Sequence, residues 1–271
     1  MKTHSPRWAR RLIAGASTAA VIAVSAIAIP SASYAADDAL PAKDAQFIEF
    51  AQAHSDDPAV IDRLSQKLFG TRYYVVLDGE TIQRTGTDAA KVIREREATP
   101  VITPLADLPS DTFTITIGQS AISSGVYVTG SVIFKSTYAG QAAPADVASL
   151  QFSAPACITL NNHQINTYNQ AGTSTNLGYL YNANVASKSP IWKINDSTSG
   201  FSNQAHRSAA YVLLQRNSCS GSQPISAAYR YEHNQGGSLG SISANFGFLS
   251  IGYSGAVFKI QKSSSVLNFN M

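Results

Sequence analysis

Residues 112–134 read TFTITIGQSAISSGVYVTGSVIF, with Phe113, Ile115 and Ile117 alternating with Thr112, Thr114 and Thr116. A period of two sends successive side chains to opposite faces of an extended chain, so this stretch predicts half-buried β-strands and not helix. Outward from it, GVYVTGSVIF, ASLQFS, CITL, GYLYN, PIWKI, AAYVLLQ, ISAAYRYE, SISANFGF and GAVFKI supply further strand-like runs, separated by Gly, Ser and Asn. About ten short strands without helical periodicity between them predict an antiparallel sandwich, jelly roll or barrel over residues 112–271.

Charge marks where that domain starts. Residues 112–271 carry 3 Asp+Glu and 8 Lys+Arg, a net of +5, whereas residues 36–111 carry 14 and 8, a net of −6. Charged residues are therefore about 7% of the β domain against about 25% in an average soluble protein, which predicts a neutral surface of hydroxyl and amide groups. Its basic residues are scattered, so the sequence offers no stripe for nucleic acid.

The N-terminus has the three regions of a secretory signal peptide. Lys2, Arg7, Arg10 and Arg11 stand without an acid, an apolar run follows from Leu12 to Ile29, and Ser33 and Ala35 sit at −3 and −1 of a cleavage site. Residues 1–35 are thus read as a removable leader on a secreted, extracellular protein. A retained anchor is the competing reading, because the run approaches the length that spans a bilayer, but its many Ala, Ser and Thr weaken it. Taking four positive charges from the formal +3 leaves −1, so the basic isoelectric point belongs to the leader. The two cysteines, Cys157 and Cys219, are expected to form a disulfide outside the cell.

Residues 36–97 read as a small ααββα segment, making the whole chain α+β. Phe47, Ile48, Phe50 and Ala51 form one helical face, and Asp57-Pro58 starts a second helix that Gly70 ends. YYVVLDGETIQRT at 73–85 predicts a hairpin turning at Asp78-Gly79. A third helix is expected over Asp88–Glu97, with Lys91 and Glu95 as an i,i+4 pair. Residues 98–111, with Pro100, Pro104 and Pro109, form a connector. A unit of this size is near the lower limit for an independent core, so it leans on the β domain as either a propeptide or an accessory domain.

No motif is specific for one reaction. Gly236-Gly237-Ser238-Leu239-Gly240 matches G-x-S-x-G, but both flanks read as strands where a nucleophile elbow requires strand then helix. The β domain's only acids are Asp146, Asp196 and Glu232, which argues against a two-carboxylate glycosidase without excluding Asp196 with Glu232. His54, His163, His206 and His233 show no metal-ligand spacing, and Glu232 and His233 should point to opposite faces. Asn161-Asn162-His163 reads as a turn. No catalytic residue, cofactor or metal site is predicted.

Tyrosine is the more suggestive signal. Tyr179 with Tyr181, and Tyr229 with Tyr231, are i,i+2 pairs whose rings would share a strand face about 7 Å apart. With Trp192 and His233 they are the candidate ligand-binding residues, a stacking platform for sugar rings. Half-buried cross-strand packing is the competing explanation. Ser241 to Phe248 alternates Ile242, Ala244, Phe246 and Phe248 with Ser241, Ser243, Asn245 and Gly247, as a membrane-inserting hairpin does, but so does any half-buried strand, and the membrane reading is not favoured. The function predicted is a secreted, non-enzymatic binding protein for a neutral glycan or another cell-envelope component. The alternatives are a secreted hydrolase made as a pro-enzyme and a membrane-active β protein.

Overall fold

The computed structural model describes residues 40–76, 79–85, 89–94, 112–136, 138, 145–196, 198–199, 202–235, 238–254 and 258–271. The expected leader and the proline-rich connector lie outside these residues. The structure is mostly antiparallel β, with two short helices.

Sheet A has the order β1 (Tyr74–Val76), β4 (Phe113–Ile122), β5 (Gly125–Phe134), β12 (Arg207–Arg216) and β7 (Ile158–Tyr168). Sheet B runs β3 (Ala89–Arg94), β2 (Gly79–Thr85), β16 (Phe258–Ser264), β13 (Pro224–Gln235), β6 (Asp146–Ser153), β9 (Ile191–Ile194) and β8 (Gly178–Asn182), with β17 (Leu267–Asn270) on the first part of β13. Two small hairpins stand apart: β10 (Thr198–Ser199) with β11 (Ser202–Asn203), and β14 (Ser238–Asn245) with β15 (Phe248–Ser254).

Period two explains how the sheets stack. The inward positions of β4, β5 and β12 (Phe113, Ile117, Val128, Val212) meet the inward positions of β6, β9 and β13 (Leu150, Trp192, Tyr229, Tyr231) in one buried core. Two antiparallel sheets sharing a core are consistent with a sandwich, and the described strands close no barrel. The outward positions of sheet A, Tyr127, Tyr211, Leu213 and Ile122, are apolar as well and lie buried with Phe47, Ile48, Ala51 and Ile61 of α1 (Ala42–Ala53) and α2 (Pro58–Phe69). The outer face of sheet B is covered instead by the β14–β15 hairpin, through Ala244, Leu249 and Ile251 on Val147 and Ile191.

The helices form as their signals predict. Asp57 accepts from the amides of Ala59 and Val60 at 3.1 and 3.2 Å, Pro58 occupies the first turn, and Gly70 takes the left-handed conformation at φ 69° that ends α2. α1 and the loop after it are fixed to sheet A by buried and part-buried polar contacts. The Asp44 carboxylate accepts from the Ser123 and Ser124 amides at 3.3 and 2.7 Å in the β4–β5 turn. Gln52 donates to the Ala209 carbonyl at 3.2 Å and accepts from Asn166 at 2.7 Å, while Arg207 pairs with Asp56 and donates to the Ala53 carbonyl.

Three local expectations are corrected. The runs on either side of Asp78-Gly79 do not pair with each other, since β1 pairs with β4 in sheet A and β2 with β16 in sheet B. Residues 89–94 are strand and not helix: β2 offers an open edge, and a ladder with Thr81 opposite Ile93 and Ile82 opposite Val92 outweighs an i,i+4 pair worth a few tenths of a kcal/mol. Asn161-Asn162-His163 is no turn. It lies inside β7, where Asn162 at φ 50° forms a bulge opposite β12 between Tyr211 and Leu213.

Cys157 and Cys219 are bonded, with Cα atoms 5.5 Å apart. The bridge fastens the start of β7 to the chain beyond β12 and closes a loop worth about 4 kcal/mol of unfolded-chain entropy in the loop-closure account.

Candidate functional site

At one end of the core, three strand termini bring together a buried polar cluster. Asp146 begins β6, Asp196 follows β9, and His233 lies near the end of β13, all three fully shielded from solvent. His233 Nδ1 lies 2.9 Å from both oxygens of Asp146 and 3.7 Å from Asp196 Oδ2. Asp146 also accepts the Tyr231 hydroxyl at 2.5 Å and the Asn234 amide at 2.9 Å. Tyr138 closes the ring, donating to Asp196 Oδ2 at 3.0 Å with its oxygen 2.7 Å from His233 Nε2.

Nδ1 faces the Asp146 carboxylate and Nε2 faces the Tyr138 oxygen, which itself lies against Asp196, so both ring nitrogens are partnered and the surroundings favour a positive charge on the ring. Burial works against this charge, but the Asp146 and Asp196 carboxylates outweigh it and raise the imidazole above its ordinary value. Phe113, Phe134 and Tyr138 lie around it with ring planes near perpendicular to its own, at centroid distances of 6.2, 5.4 and 5.2 Å. Tyr231 is held strongly neutral by burial and by the Asp146 charge.

One donor atom from each of Asp146, Asp196 and His233 lies within 4.8 Å of the others, a nitrogen–oxygen set of a kind that could ligate a divalent cation. The same side chains also contact one another and Tyr138, so the set equally describes a histidine held between two carboxylates. Sequence spacing could not reveal the cluster because its members are 37 or more positions apart. One signal was available. A domain with three acids has placed all three, Asp146, Asp196 and Glu232, in buried positions, where charged groups persist only when paired.

Glu232 faces away from His233, as strand alternation requires. It accepts from the Tyr253 hydroxyl, which also contacts Asn234, and lies 3.6 Å from Lys259.

The six candidate platform residues divide into two groups. Trp192, Tyr229, Tyr231 and His233 are buried in the core and present no ring to a ligand. Tyr179 and Tyr181 are 50% and 43% exposed on β8, an edge strand of sheet B. Tyr179 stands opposite Lys193, whose ammonium lies 4.0 Å from the Tyr181 ring centroid. Exposed apolar side chains continue on this side of the molecule, with Val185 in the 3-10 turn 185–187 and Phe246 and Phe248 at the hairpin tip. Hydrogen bonds from Asn184 and Ser187 to the Ala244 carbonyl join that turn to the hairpin. Ser238 opens β14 opposite Ser254, in a paired strand and not in a strand-to-helix elbow.

No family model matches the chain, and no curated protein matches it. Among solved structures, a chain described under "pH-induced modulation of Streptococcus parasanguinis adhesion by Fap1 fimbriae" aligns at a TM-score of 0.23 with 10% identity, covering 70% of this chain and 94% of that one. A likeness of that size carries no argument about fold or function.

Proposed function

We propose that this chain is an exported, non-enzymatic binding protein that attaches to a neutral glycan or another cell-envelope component through the outer side of sheet B. The observation that carries the reading is the exposed pair Tyr179 and Tyr181, two rings on the edge strand β8 with Lys193 beside them. Flat apolar rings with a hydroxyl edge suit the faces of sugar rings, and nearby Asn182 and Asn184 offer neutral hydrogen bonds. The buried placement of Asp146, Asp196 and His233 supports a binding role, because a solvent-borne substrate cannot reach them as they stand. The leader pattern and the disulfide support work outside the cell.

The test is retention of the purified protein on a glycan array or on isolated cell-envelope material, compared with Tyr179→Ala/Tyr181→Ala. Both side chains are exposed, so the double variant should fold normally and bind on the order of tenfold more weakly or worse. Unchanged retention would remove this surface from consideration.

A further inference from the structure

We propose that the β14–β15 hairpin, residues 238–254, is a membrane-inserting element: it leaves sheet B and enters a lipid bilayer, several copies closing a barrel. This goes beyond glycan attachment and does not depend on it.

Four observations carry the inference. First, the hairpin is a separate two-stranded sheet, and among the described residues no backbone ladder joins it to sheet A or sheet B. It is held by side-chain contacts: Gln151 to the Gly247 amide and the Phe248 carbonyl at 3.0 and 2.9 Å, Asn184 and Ser187 to Ala244, and Gln261 to Leu249 at 3.2 Å. The Tyr253 hydroxyl adds contacts to Glu232 and Asn234.

Second, its two arms are the continuation of β13 and β16. Pairing runs from Arg230 opposite Ser263 to Gln235 opposite Phe258, resumes with Ser238 opposite Ser254, and ends with Asn245 opposite Phe248. The hairpin is therefore the distal part of one ribbon laid back over its own sheet. Swinging it out leaves the pairing between its arms intact.

Third, the faces are divided as a bilayer strand requires. Leu239, Ile242, Ala244, Leu249, Ile251 and Tyr253 all point to one side, now against Val147 and Ile191. The other side carries Ser241, Ser243, Asn245, Ser250 and Gly252, groups suited to a water-filled lumen, with Phe248 on that side only at the tip, opposite Asn245. The tip exposes Phe246 at 37% and Phe248 at 52%.

Fourth, the whole stretch lacks charge. Between His233 and Lys259 the sequence contains no Asp, Glu, Lys, Arg or His, so the arms, 8 and 7 residues long as paired, can be extended by uncharged sequence to the about 9–11 residues of a transmembrane β-strand. Glu232 and Lys259, paired at the base, mark where charge returns. A lone hairpin would leave backbone groups unpaired in hydrocarbon, which is why insertion requires several copies. No described helix is long and apolar enough to cross a membrane.

The experiment mixes the whole protein with dye-loaded vesicles of phosphatidylcholine and phosphatidylglycerol. In Phe246→Trp, a replacement at the exposed tip, tryptophan emission should shift to the blue on adding vesicles and be quenched by brominated lipid. Dye release should rise more steeply than the first power of protein concentration. Ile242→Arg places a charge on the lipid side and should lower release by on the order of tenfold or more, whereas Ser243→Arg on the lumen side should retain it. If Ile242→Arg does not fold, Leu239→Arg, a partly buried position on the same lipid side, carries the same expectation. An emission maximum unmoved by vesicles at every lipid ratio overturns the proposal, as does equal release by the lipid-side variant. A blue shift that needs protein concentration but no lipid also overturns it, assigning the face to a second copy of this chain.

Discussion

Burial between two carboxylates makes His233 a residue through which pH acts on this fold. Its folded-state value is raised above the ordinary 6.5, because the pull of Asp146 and Asp196 exceeds the cost of burial. The folded protein therefore holds this proton more tightly than the unfolded chain. The resulting stabilisation is fully present below about 6.5 and is lost as pH rises through the raised value. His233→Gln should accordingly show its largest loss of thermal midpoint at mildly acidic pH, with the gap to wild type narrowing under alkaline conditions. A gap that stays constant from pH 5 to 9 would contradict the charged ring. Asp44 allows a second residue-scale prediction. It is buried and accepts two turn amides, so Asp44→Ala should cost about 1–3 kcal/mol in chemical denaturation by orphaning those donors. Neither role was legible beforehand: Asp44 reads as one acid among fourteen in its segment, and its partners lie 79 and 80 positions away.

Among the elements, the sheets come within van der Waals distance where residue size permits. Gly130 on β5 faces Tyr229 on β13, and a Cβ at position 130 would fall inside the tyrosine ring. Gly130→Ala should therefore destabilise by about 1–3 kcal/mol through overpacking, with a larger loss for Val. Combining Gly130→Ala with Tyr229→Leu should recover part of it, and a fully additive double variant would show that the two positions do not touch. Strands of strict alternation were readable from their own residues, as in Phe113, Ile115 and Ile117. Residues 89–94 were not, because their helix-forming composition is outvoted by an open strand edge that is created by residues far away in the chain. Asp78-Gly79 misled for a related reason. Its flanking runs have hairpin character, yet each finds a longer strand, β4 or β16, to pair with.

Taken as a whole, the described molecule is layered: helices, sheet A, sheet B, then the β14–β15 hairpin. Both outer faces of the sheets need cover because their outward positions are also apolar. The acidic N-terminal part supplies one cover and three strands besides, so a chain beginning after residue 94 should bare Tyr127, Tyr211 and Leu213. We expect such a truncation to aggregate or to bind a hydrophobic dye, measured against the intact protein. A soluble, monomeric, cooperatively melting fragment would instead support a removable propeptide. The sequence alone determined what depends on neighbours in the chain: strand period, the capped helix at Asp57-Pro58 with its Gly70 stop, the scarcity of charge, and two cysteines expected to join. Only the tertiary structure decided which tyrosines meet solvent and which fill the core. Alternation says that a side chain points to one face or the other, but what lies on each face is set by residues a hundred positions distant. The Asp146–Asp196–His233 ring is the extreme case, since its existence depends entirely on three strand ends arriving at one place.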